Sequence, residues 1–372
     1  MSLLTDGRGM GLARFLLLAA VVALLSSSAG ALLRPDAGAG PRSSAPAIDW
    51  LTKAVRAPGR VSYYATETVV TQDERGTHRH KARVVHRVPD DTRREYLSDQ
   101  GEVEKVVSDD GHLRWQHLPK QSKIIFSPSL RSDREPWGDQ PLNRLLGNYL
   151  VELAGKETIS ARQAQVLAIR PRPGHLGPSK RLWLDETTGL ILQSELTSTD
   201  GKTRSLSTLS ELRLAKTVPS REFTPPANAR KQTVISQHVA VLPLPALARH
   251  WKRPLLTPTR IPPGYSLESA RLLRRGRHSF VHLRYVDGVN ALSLFEAPSG
   301  QPRGSAPSRP AGDRVIKGSP AVWRLDPPFR SLSWREHGLK LTLVGDLPRM
   351  ELLAIAQASA LWRAEASPPR TR

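Results

Sequence analysis

From residue 60 onward, apolar and polar positions alternate along the chain. RVSYYATETVV sets Val61, Tyr63, Ala65 and Val69 on one side, and KARVVHRV does the same with Ala82, Val84, His86 and Val88. REYLS, VEKVVS, LRWQHLP and KIIFS follow at short intervals, punctuated by turn residues such as Asp109-Asp110-Gly111. Period-two segments with turn chemistry between them predict a meandering antiparallel sheet. QVLAIRP and the run RLWLDETTGLILQSELTSTDGKTRSLSTLSELRL extend it. There Leu190, Leu192 and Leu196 share one strand face, Leu206, Leu212 and Leu214 another, and Thr188-Gly189 and Asp200-Gly201 mark turns. About ten short strands are expected.

Two segments break the alternation. AIDWLTKAVRA reads as a short amphipathic helix with Ile48, Leu51 and Val55 on one face. In QPLNRLLGNYLVELAG, Leu142, Leu145, Leu146, Tyr149, Leu150 and Leu153 keep the i, i+3, i+4 spacing of a helix. Pro141 suits its first position and Gly155 its stop. A stripe of that kind has to be buried, most simply against one face of the sheet.

Prolines crowd the stretch from Ala215 to Gly264 (TPP, LPLP, IPP), so a connection between domains is expected over 227–264, partly packed, with VISQHVAV readable as a strand. Beyond it, SFVHLRYVDGVNALSLFEAP carries an Asp287-Gly288 hairpin turn, and 298–314 reads as a flexible loop. PAVWRL, SLSW and LKLTLVG read as strands, and Leu352, Ile355, Ala356 and Ser359 mark a final helix from Pro348. The fold class is therefore α+β. A larger domain is placed at 47–226, a smaller one at 265–363 and a disordered tail at 364–372; 372 residues suffice for two cores.

At the N-terminus Arg8 and Arg14 precede FLLLAAVVALL, an uncharged apolar run. As a helix it covers about 16 Å, against a bilayer core of roughly 30 Å. The small residues SSSAGA follow and offer cleavage after Ala29 or Ala31. Residues 1–29 are thus expected to be a secretory signal peptide, with a retained anchor as the alternative, and 30–46 a disordered spacer.

An exported chain changes the reading of its net charge of +21. Apart from Arg271, Arg274, Arg275 and Arg277 the cations are scattered, without the aromatic interleaving of a nucleic-acid surface. Anionic headgroups or an acidic partner suit the charge better, so no nucleic acid is expected. The absence of cysteine excludes disulfides, thiolate metal sites and a cysteine nucleophile. The chain contains no G-x-S-x-G, P-loop, H-E-x-x-H or EF-hand motif. His78 and His80 share a strand face with no third ligand nearby in sequence. The expectation is a binding protein without catalytic residues, metal or cofactor; a hydrolase with a dispersed site is the distant alternative.

Three segments resemble the MucB/RseB family of periplasmic sigma-factor regulators: WLDETTGLILQSEL at 183–196, HLRYVDGVNALSLFEAP at 282–298 and LVGDLPRMELLAIAQAS at 343–359. The resemblance spans roughly 48–360, with Val286 standing where the family has a serine. It implies a lipoprotein-carrier-like first domain, a half-open antiparallel β-barrel plugged by helices, followed by a smaller α+β domain. It further implies a periplasmic protein that binds the extracytoplasmic segment of a membrane-spanning anti-sigma factor and shields it from proteolysis. Envelope lipid or a lipopolysaccharide-like ligand would release that segment. A lipid or lipoprotein carrier is the alternative, although carriers proper lack the second domain. The barrel's concave side is expected to be apolar and uncharged, suited to acyl chains. Candidates for lining it are Leu142, Leu146, Tyr149, Leu150 and Trp183. Candidates for partner binding are Tyr285, Asp287 and Gly288 in the most family-specific segment, together with Arg271, Arg274 and Arg275.

Overall fold

The computed structural model describes residues 43–73, 76–129, 140–227, 230–233, 240–275, 278–299, 315–326 and 329–363. The expected signal peptide, most of the spacer, most of the 298–314 loop, Arg277 and the 364–372 tail lie outside them. By contact the chain divides into two units: residues up to Ile235 together with Asp287–Val289, and Ser236–Val286 together with Asn290 onward.

The first unit is built on twelve strands. In its first half these are β1 (Ser62–Asp73), β2 (Gly76–Arg87), β3 (Asp91–Leu97), β4 (Val103–Asp109), β5 (Leu113–Leu118) and β6 (Lys123–Pro128). The second half holds β7 (Tyr149–Ile159), β8 (Arg162–Pro171), β9 (Ser179–Asp185), β10 (Ile191–Thr197), β11 (Thr203–Ala215) and β12 (Arg230–Thr233). They form one open sheet in the order β12-β6-β5-β4-β3-β2-β1-β11-β10-β9-β8-β7. Every pairing is antiparallel except β12 beside β6. The expected meander is there, with two more strands than the alternation announced.

The helices differ from expectation at their ends. α1 (Ala45–Arg56) begins inside the expected spacer, with Pro46 in its first turn, where a missing N–H costs nothing. It buries Ala47, Leu51 and Ala54. α2 (Gln140–Asn148) stops well short of the helix expected to reach Gly155. From Tyr149 the chain is strand, paired to β8 from Tyr149↔Pro171 to Ile159↔Arg162. The segment Tyr149-Leu150-Val151-Glu152-Leu153 satisfies both periods, and pairing with β8 decides it: Tyr149 and Val151 face the core while Leu153 is exposed. Gly155 is no helix stop. It sits at φ +95° where the β7–β8 register shifts, a conformation that favours glycine.

The second unit contains β13 (Ala240–Val241), β14 (Leu256–Pro258), β15 (Ser266–Arg275), β16 (His278–Val286), β17 (Ala291–Pro298), β18 (Val315–Ile316) and β19 (Ser319–Pro320). It continues with β20 (Val322–Asp326), β21 (Phe329–Glu336), β22 (Leu339–Gly345) and β23 (Ser359–Leu361). Seven of these form an antiparallel sheet in the order β13-β15-β16-β17-β22-β21-β20, and β14–β23 and β18–β19 are small separate ladders. Helices α3 (Leu244–Trp251) and α4 (Arg349–Gln357) complete it. Leu247, Trp251, Leu283, Leu292, Leu343 and Leu352 belong to its core. The expected connection at 227–264 is corrected here: β13, α3 and β14 lie within it and pack into this unit. The prolines fall where helices and short edge strands tolerate them, at the start of α3 and the end of β14.

One core residue of this unit is acidic. Glu296 on β17 lies in register between Val281 and Leu341 and is fully buried. Its carboxyl accepts the Leu256 N–H at 3.2 Å. Burial, aided by the nearby Glu336 charge, pushes it up to about 8.

Candidate functional site

The segment WLDETTGL folds as a tight connection between β9 and β10, organised by one carboxylate. Asp185 is buried and accepts from the Thr188 N–H and hydroxyl, each at 2.8 Å. Arg162 grips it bidentately at 2.6 and 3.1 Å. Burial opposes its ionisation, but Arg162 and Thr188 outweigh that and hold the carboxyl below the usual carboxylate range. Lys53 of α1 donates to the Glu186 carbonyl at 2.6 Å. Gly189, at φ +78°, lies so close to Lys53 that an added Cβ would meet its Cγ at 2.7 Å. The motif is a clamp tying α1 to the sheet.

The helices cover one face of the sheet's second half. Leu167, Ile169, Leu182 and Leu184 from β8 and β9 bury against Ala47, Leu51 and Ala54 of α1 and Leu145 of α2. Each such side chain contributes about 1.5–3 kcal/mol. Within this unit Asp287 closes the cluster. It is fully buried, and its carboxylate accepts from the Tyr149 hydroxyl at 2.6 Å and the Val289 N–H at 2.8 Å, with His175 Nε2 at 3.0 Å. Its carbonyl accepts from the Asn148 side chain at 2.8 Å. Tyr149 also meets His175 edge-on, centroids 5.0 Å apart, and Val289 joins the apolar cluster. Gly288, at φ +105°, passes so close to α2 that a Cβ would lie 2.6 Å from the Leu145 Cα. Gly288→Ala is therefore expected to cost about 2–4 kcal/mol, since backbone conformation and clash both oppose it. Chemical denaturation checks it, and a cost below about 0.5 kcal/mol would contradict this packing.

The predicted residues are distributed accordingly. Leu142 and Leu146 pack partly buried beside the fully buried Tyr149. Leu150 and Trp183 lie on the opposite face, and Trp183 is buried with Ala164, Val166 and Leu192. The five lining candidates therefore do not share one cavity. Alternation along β7 and β9 splits them. Tyr285 is buried in the second core, its phenol raised by burial and by Glu296. Asp287 has no exposed surface, because its carboxylate is spent on internal donors. Of the arginines, Arg274 is exposed and Arg271 half-buried, while the Arg275 side chain lies outside the described set. His78 and His80 are exposed on β2.

The helix-bearing face is not uniformly apolar. Register carries it across β10 and β11 to β1–β4, where Glu67, Ala82, Tyr96 and Lys105 stand side by side. Glu67 accepts from Arg94 at 3.2 Å and from Ser207 at 3.1 Å. The Lys105 ammonium sits 4.0 Å from the Tyr96 ring centroid and is lowered by burial and by Arg114. Lys180, between Ile169 and Leu196, is lowered to about 8 by burial. The expectation of an uncharged concave face is thus corrected. The half under the helices is apolar around one half-buried lysine, Lys180, and the other carries Glu67, Arg94, Lys105 and hydroxyl groups.

These features define a class: an open, predominantly antiparallel sheet with helices on one face, followed in the same chain by a smaller unit built on a seven-stranded sheet. Residues 46–227 match the MucB/RseB N-terminal domain family. The matched residues, just under half of the chain, are a MucB/RseB N-terminal domain. The fold is similar to that in the complex structure of Pseudomonas aeruginosa MucA/MucB, at TM-score 0.59 and 20% identity, covering 86% of this chain and all of that one. A crystal structure of MucB matches at TM-score 0.52 and 21% identity, covering 87% of this chain and all of the other. No curated protein sequence matches the chain. Among the described residues no helix is long and apolar enough to cross a membrane.

Proposed function

We propose that this chain is an extracytoplasmic regulator, without catalytic activity, that holds the periplasmic segment of a membrane-spanning anti-sigma factor and shields it from proteolysis. The observation that carries this reading is the MucB/RseB domain at 46–227, within a fold shared with a MucB chain solved in complex with MucA. The first unit is read as the family's half-open barrel, plugged by α1 and α2. Envelope lipid would be the releasing signal.

The test first asks whether the neighbouring reading frame encodes a single-span protein, and then pairs the full chain with that protein's extracytoplasmic segment. Purified together, the two are expected to form a complex and to slow proteolysis of the segment at least tenfold. Anionic lipid vesicles are expected to reverse that protection. A segment degraded equally fast with and without the chain sinks the regulator reading. Vesicles that bind the chain but leave protection intact sink only the lipid step.

A further inference from the structure

On the face opposite Glu67 and Arg94, the first unit has a cavity of about 820 Å³, within the size range of ligand sites. β1, β2, β3 and β11 form its floor, with Tyr64, Thr66, Arg83, Arg93, Glu211 and Arg213 in its lining. Three lining residues that are not glycine, Ser160, Ala161 and Glu211, hold left-handed backbone at φ +48°, +64° and +54°. Ser160 and Ala161 take it as the two-residue turn joining β7 to β8, which asks for positive φ at both positions; Glu211 has no such turn to account for it.

At Glu211 the cause is a bulge. Tyr64 pairs with Arg213 and Thr66 with Ser210, so Glu211 and Leu212 together face Ala65 alone. Bulges re-aim side chains. This one brings Glu211 to the Thr66 hydroxyl at 2.7 Å and sets the Arg213 guanidinium 5.7 Å from the Tyr64 ring centroid.

Donors outnumber acceptors in the lining. Glu95 accepts from both Arg83 and Arg93, and Glu222 takes Arg93's other end at 3.0 Å. The Arg93 Nε–H is nevertheless buried without a partner. The Arg83 side chain is 58% exposed, and Arg213 makes no ion pair among the described residues. Arg83 pairs with Thr66 and Arg213 with Tyr64, so on the strands flanking β1 they stand about 12 Å apart, and both long side chains can reach a carboxylate placed between them. Beside them the second Glu211 oxygen can take an N–H.

A carboxylate with an amide N–H close by is an acidic residue of a peptide. We propose that this cavity binds such a residue, its carboxylate held by Arg83 and Arg213 and its backbone N–H by Glu211. The site does not depend on the anti-sigma reading, and it is tested with a generic probe.

The experiment titrates the full chain with acetyl-tetraglutamate amide, and separately with citrate at equal ionic strength, by calorimetry. Arg213→Gln and Arg83→Gln are compared with Arg170→Gln, which removes the same charge from an exposed pair with Glu152. Thermal midpoints are recorded for each. The peptide is expected to bind the natural chain, to bind Arg213→Gln and Arg83→Gln at least tenfold more weakly, and to bind Arg170→Gln within twofold. No peptide binding, or equal losses in all three variants, overturns the site. Citrate binding as tightly as the peptide overturns its assignment to peptides. Loss of anti-sigma protection with peptide binding retained would count against the function proposed above and leave this site standing.

Discussion

Asp287→Ala is expected to destabilise the protein by about 3–5 kcal/mol, the range for removing one partner from a buried charged network. For a unit of this size that lowers the thermal midpoint by roughly 6–20 °C. The cost arises from what is left behind. The Tyr149 hydroxyl, the His175 ring and the Val289 N–H all lose a common acceptor in a place without solvent. Tyr149→Phe removes one of those bonds and its hydroxyl together, so about 1–2 kcal/mol is expected. Combining the two should cost less than the sum, because the phenol no longer needs the acceptor the first change removed. Denaturation of the four proteins measures the coupling. Additive costs, or a midpoint within 2 °C of the natural protein for Asp287→Ala, would show that the network is not what holds this packing.

Glu296→Gln is expected to stabilise the second unit at pH 8 and to be nearly neutral at pH 4.5. Its folded carboxyl titrates near 8, against 4.5 for an unburied one, because it is enclosed by apolar side chains with one N–H in reach and another carboxylate nearby. The folded state therefore holds the proton more tightly than the unfolded state. Stability linked to this group is fully present below 4.5, declines as pH rises and is lost by about 8. The interval corresponds to at most about 4–5 kcal/mol. Glutamine stays neutral throughout and still offers an oxygen to Leu256. Carboxylates distant from Glu296 titrate alike in both proteins, so the difference between their stability curves isolates this group together with its coupling to Glu336. Parallel curves from pH 4.5 to 8.5 would refute the assignment.

Period-two patterning made most of the sheet legible, as in β2, where the side that the alternation picks carries the buried Ala82, Val84 and His86. The helix-to-strand boundary at Tyr149 was not legible. Leucines at 142, 145 and 146 and the apolar run after them satisfy a helix and a strand equally, and only the partner strand β8, formed by later residues, chooses between them. The role of Asp287 was hidden for a different reason. Asp-Gly reads as an ordinary hairpin turn, and the groups that use its carboxylate lie 138 and 112 positions earlier in the chain. Asp185 was found inside a recognisable motif, but its grip on Arg162 comes from the neighbouring strand. The charged half of the helix-bearing face escaped notice because Glu67 and Arg94 each look like a polar position on an edge-to-edge meander, and their meeting depends on register across two strand pairs.

Because Asp287–Val289 belong to the first unit, that unit is discontinuous in the chain. It is not complete when residue 235 has been synthesised; some fifty further residues have to follow before Tyr149 and His175 find their acceptor. Contacts of such long sequence separation form late and slow the search for the native state. A nascent or truncated chain ending at 235 thus keeps an open seam along α2 until Asp287–Val289 arrive.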